Sequence, residues 1–136
     1  MERVKLTDNL FLDEYIPKEL YLKTSPSILI SLLDSRMIAC DQKLRDAFGS
    51  VTINNWWTGG NRNWSGLRTP DCPNYSPTSQ HSFGRASDKI FSAPADEVRQ
   101  YIKNNWRELG ITRIEDNVSW VHSDVAYTIE NELIIF

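Results

Sequence analysis

The segment that most restricts the fold of this chain is APADEVRQYIKNNWRELG, residues 93–110, with Pro94 at one end and Gly110 at the other. Proline suits the entry to a helix and glycine its exit. Between them Val98, Tyr101, Ile102, Trp106 and Leu109 recur at helical spacing and predict one buried face. Asp96 and Glu97 sit in the first turn, where acidic groups complement the helix dipole. The chain then changes character. Residues 111–115, 118–126 and 127–136 are rich in β-branched and aromatic side chains around an Asp116–Asn117 turn, which predicts strands.

An earlier helical stretch covers residues 25–48. Ser25 is placed to cap it, Pro26 fits the first helical position, and Gly49 can close it. Ile28, Leu29, Leu32, Leu33 and Met37 give a buried stripe, with a kink or break at Asp34 and Ser35. Short strands are expected at 51–54 and 88–92. Helix, strands, helix, strands predicts one α+β domain over residues 1–136, a mainly antiparallel sheet with flanking helices.

The formal net charge of −3 argues against a sequence-independent nucleic-acid binder, which needs a basic field. No apolar run approaches a membrane span, and MERVKLTDNL lacks the apolar core of a signal peptide. Synthesis in the cytoplasm without a leader is expected, so action outside a cell needs another exit route. Cys40 and Cys72 form no CxxC pair and are expected as reduced thiols. Residues 58–79, rich in Gly, Asn, Pro and Ser, read as one long loop.

Both histidines lie near carboxylates. SQHSFGRASD, residues 79–88, carries His81 and Asp88, and WVHSDV, residues 120–125, puts Trp120, His122 and Asp124 on one face of a strand. Imidazole and carboxylate suit Zn²⁺, and three protein ligands leave a fourth position open, as in catalytic sites. His81, Asp88 and His122 are the natural three. Histidines beside carboxylates also occur as plain hydrogen-bonded residues, so spacing alone leaves both readings standing.

The pattern Ser79, His81, Gly84, Ala86, Asp88 resembles the signature of the zinc D,D-carboxypeptidase family, and Trp120, His122, Asp124 resembles the second signature of its bacteriophage branch. LTDNLFLDEYI near the start looks like the family's opening segment. WSGLRTP, residues 64–70, resembles its serine-glycine-aromatic-arginine segment, with Leu67 at the aromatic position. The resemblance implies an α+β fold shared with the hedgehog signalling domain, zinc held by His81, Asp88 and His122, and hydrolysis of peptidoglycan stem peptides or cross-links. Gly84 would then permit a tight turn between two ligands, and Ala86 would keep the space between them clear.

Under that resemblance Arg68 holds a substrate carboxylate or the developing oxyanion. The family's glutamate base, three residues before the last histidine, is replaced by Ser119. Asp124 is the substitute candidate, either as base or as a carboxylate that orients His122, with Glu115 and Asp116 as further possibilities. Trp56, Trp57 and Trp64 crowd the approach to Arg68 and either stack on substrate or pack beneath the loop. A peptidoglycan peptide is the expected substrate, with other virion or lysis proteins as partners and the bacterial wall as the place of action. The competing expectation is a catalytically inactive, zinc-stabilised virion or wall-binding domain, which Ser119 favours.

Overall fold

The structure is a computed structural model and describes residues 2–136. Five short strands form one sheet in the order β1-β2-β4-β3-β5: β1 Val51–Thr52, β2 Ala86–Phe91, β3 Arg113–Ile114, β4 Val121–Asp124 and β5 Ile134–Ile135. β1–β2, β2–β4 and β4–β3 pair antiparallel, and β3–β5 pairs parallel. Among the described residues four α-helices accompany the sheet: α1 Lys18–Lys23, α2 Pro26–Ser31, α3 Ser35–Phe48 and α4 Ala95–Leu109. This is the α+β domain with a mainly antiparallel sheet that the residue pattern predicts.

Helix α4 runs from Ala95 to Leu109 and ends at Gly110 with φ +85°. Val98, Ile102 and Leu109 are buried, with Tyr101 and Trp106 packed at the core's edge. The helical stretch expected over 25–48, with a kink or break at Asp34 and Ser35, is two helices separated there by a break. Asp34 ends the first by capping the second: its carboxylate accepts from Arg36 N at 2.9 Å, while its own N–H donates to Gly84 O at 2.9 Å. The turn this creates leaves Ile28 and Leu32 exposed, so the buried stripe is reduced to Leu29, Leu33 and Met37. Ser25 precedes α2, but its side chain makes no cap bond.

The C-terminal strands are shorter than expected. Residues 127–133 form no strand: Tyr127 to Glu132 are all exposed, Ile129 fully so, and no face of the segment is buried against the core. Only Ile134–Ile135 joins the sheet. Residues 59–79 carry neither strand nor helix, in keeping with the long loop. Both cysteines are buried free thiols, and burial pushes Cys40 up to about 12. No helix among the described residues is long and apolar enough to cross a membrane.

Candidate metal centre

Strands β2 and β4 build the site by alternation. Asp88 pairs directly with His122, and Ala86 with Asp124, so these side chains share one face of the sheet. The third contributor, His81, sits on a short 3-10 turn, Gln80–Phe83, whose start is capped by the Ser79 hydroxyl accepting from His81 N. Gly84 closes that turn with φ +68°, and a Cβ there would lie 2.0 Å from Leu32 O. No other residue fits that approach, so the glycine sets the distance between His81 and β2.

The loop carrying residues 64–68 stitches the two halves together. Asp88 N donates to Ser65 O at 2.7 Å, and Arg68 N donates to His81 O at 3.1 Å. Gly66 passes so close to Tyr15 that a Cβ would sit 2.5 Å from its carbonyl oxygen. Its own carbonyl then accepts from His81 Nδ1 at 2.8 Å. That bond fixes the tautomer and turns Nε2 toward Asp88 Oδ1, 3.3 Å away. His122 is oriented in the opposite sense. Its Nε2–H donates to Asp124 Oδ2 at 2.8 Å, and Nδ1 faces the same Asp88 oxygen at 3.0 Å. Arg113 Nε in turn donates to both Asp124 oxygens, at 3.0 and 3.1 Å.

His81 Nε2, Asp88 Oδ1 and His122 Nδ1 therefore converge, with one donor atom of each residue within 4.8 Å of the others and all three residues buried. Ligands on bonds of about 2.1 Å in a tetrahedral shell stand roughly 3.4 Å apart. The observed spacings of 3.0 and 3.3 Å from Asp88 Oδ1 to the two nitrogens lie close to that edge length. Two nitrogen lone pairs aimed at one carboxylate oxygen also demand a proton or a cation between them. The residues present fit a metal ion.

The charges follow from these contacts. Burial alone would raise the Asp88 carboxyl, but without a metal, when the imidazole nitrogens facing it carry protons, hydrogen bonds from His122 and His81 outweigh burial and hold it well below the usual carboxylate range. Burial would lower His122, yet its bonds to Asp124 and Asp88 raise it. Asp124 is likewise opposed by burial and lowered by His122 and Arg113.

A cleft of about 440 Å³ opens on the cluster, walled by Arg68, Glu115, Trp120 and Phe136 among others. Arg68 donates from Nη2 to the outer Asp88 oxygen at 3.0 Å and from Nε to Trp64 O at 2.8 Å. A hollow of about 490 Å³ between α3 and α4 is slightly larger, but no ligating groups converge on it. Of the residues expected at the site, His81, Asp88, His122 and Arg68 stand together at the cleft. Asp124 stands behind His122, almost fully buried and off the cleft wall, with both oxygens engaged. Trp56 and Trp57 pack edge-on against Tyr21, and Trp56 Nε1 donates to Ile16 O, so neither lines the cleft. Trp64 faces a separate small hollow.

Sequence reasoning missed Arg113, Gly66 O and Phe136. The alternation of β3 carried a signal for Arg113, since Arg113 and Glu115 fall on the same face of the sheet as their cross-strand neighbours Asp124 and His122. No known family model, curated protein or solved structure matches this chain.

Proposed function

We propose that this chain is a zinc-dependent peptidase of the D,D-carboxypeptidase type, hydrolysing stem peptides or cross-links of peptidoglycan. The observation that carries this reading is the convergence of His81, Asp88 and His122 at the floor of an open cleft, with the Arg68 guanidinium on its wall. Two imidazoles and a carboxylate are the donor set that zinc takes in hydrolytic sites, where bound zinc polarises a scissile carbonyl and acidifies water. The chain's own residues supply the rest. Gly66 and Asp124 orient the two imidazoles, and Arg113 holds Asp124 in place. Arg68 Nη1 makes no bond among the described residues, leaving donors for a substrate carboxylate or oxyanion. Release through a lysis partner or carriage on a virion would bring such an enzyme to the wall.

A second reading, a zinc-stabilised binding domain without catalysis, draws support from Asp124. Its oxygens are spent on Arg113 and His122, which leaves it no freedom to serve as a base. Metal analysis of chelator-free protein, with His81→Ala and His122→Ala beside it, tests the centre. About one zinc per chain, lost in both variants, is expected. Digestion of purified muropeptides by the loaded protein then separates the readings: new termini support the peptidase, and none leaves the binding domain.

A further inference from the structure

We infer that Glu115 is the general base of this site; the inference rests on the hydrolytic reading above. The pairing register carries it. Arg113 opposes Asp124 and Ile114 opposes Ser123 on β3–β4, so Glu115 falls directly opposite His122, and its N–H donates to His122 O at 3.4 Å. His122 in turn opposes Asp88 on β2. Asp88, His122 and Glu115 thus form one row across three strands, with neighbouring side-chain roots about 5 Å apart. The same row places the Glu115 side chain on the cleft wall.

The neighbouring carboxylates are all committed. Asp88 belongs to the ligand cluster, Asp124 is held by Arg113 and His122, and Asp116 pairs with Arg99 at 3.5 Å. Glu115 makes no side-chain hydrogen bond or ion pair among the described residues. Among the described residues it is the one side-chain carboxylate on this wall free to accept a proton. Water adds through oxygen to the scissile carbonyl carbon while one of its protons passes to a Glu115 oxygen. As the C–N bond breaks, Glu115 returns that proton to the leaving nitrogen, so the products are a carboxylic acid and an amine.

The test compares wild type, Glu115→Gln and Glu115→Asp for zinc content, for calorimetric binding of a pentapeptide ending in D-Ala-D-Ala, and for muropeptide turnover. Glu115→Gln is expected to keep its zinc and to bind peptide within about 3-fold of wild type while kcat falls roughly 100-fold or more, and Glu115→Asp to regain part of that loss. Turnover by Glu115→Gln within about 3-fold of wild type overturns the assignment, as does loss of zinc, which would make Glu115 a ligand. A zinc-loaded wild type that cleaves no muropeptide overturns the hydrolytic reading itself, and this inference with it. An active wild type with an active Glu115→Gln overturns the inference alone.

Discussion

Strands β2 and β4 carry charged and polar residues on both faces, and the two faces use them in opposite ways. On the helix-covered face Lys89 is fully buried, donating to Ser123 Oγ at 2.7 Å and Ser87 O at 3.0 Å and standing 3.3 Å from Asp41 Oδ1. Asp41 Oδ2 accepts from Tyr15 Oη at 2.8 Å and Ser87 Oγ at 2.7 Å. Every charge there is met by a partner inside the core. On the other face, one residue along each strand, Asp88 and His122 turn their groups to a common point at the base of a cleft. Burial of charge is therefore no mark of function in this molecule. What sets the open face apart is that three groups able to hold a metal meet at one point beside an accessible cleft.

The largest effect should come from opening the closed face. Lys89→Met removes the cation and leaves Asp41 buried without it, which is expected to cost about 3–5 kcal/mol of unfolding free energy in urea titration. The same measurement on metal-free His81→Ala should show a clearly smaller loss, because His81 holds the fold mainly through its bond to Gly66 O. Equal losses in the two variants would erase the distinction between the faces. On the open face the more telling quantity is metal affinity. Asp124→Asn keeps the size of the side chain but weakens its hold on both His122 and Arg113. Competition against a chromophoric chelator should show zinc binding weakened about 10–100-fold. An unchanged affinity would mean that His122 needs no outer partner.

The same contrast explains which parts were legible in the sequence. Helix α4 was plain because proline, glycine and a single apolar stripe agree over its whole length. His81, Asp88 and His122 were legible as candidates because both histidines of the chain lie near carboxylates, in two segments rich in small and polar residues. At Asp34 and Ser35 the sequence offered a kink or a break without deciding between them, since the bond that enforces the break comes from Gly84 O, far away in the chain. Residues 127–133 misled because β-branched and aromatic side chains favour a strand only where one face has something to pack against. Lys89 and Asp41 gave no signal at all. Each reads as a surface residue until α3 and β2 are brought together.

The smallest predicted effect sharpens the contrast at the margin of the closed face. Glu14 accepts from Phe11 N at 2.9 Å, and burial is the main cause that raises its carboxyl from 4.5 to about 7, with Asp13 and Asp41 adding repulsion. The bond from Phe11 N and the charge of Arg3 only partly offset this. Between those two values the folded chain binds more protons at Glu14 than the unfolded chain does. Its contribution to stability must then fall as pH rises from about 4.5 through about 7. Glu14→Gln keeps an acceptor for Phe11 N and removes the titration, so denaturant midpoints measured at about pH 5 and about pH 8 should lie closer together in the variant than in wild type. A spacing unchanged by the substitution would show that this margin is wetter than its packing implies, and that the closed face ends at Asp41.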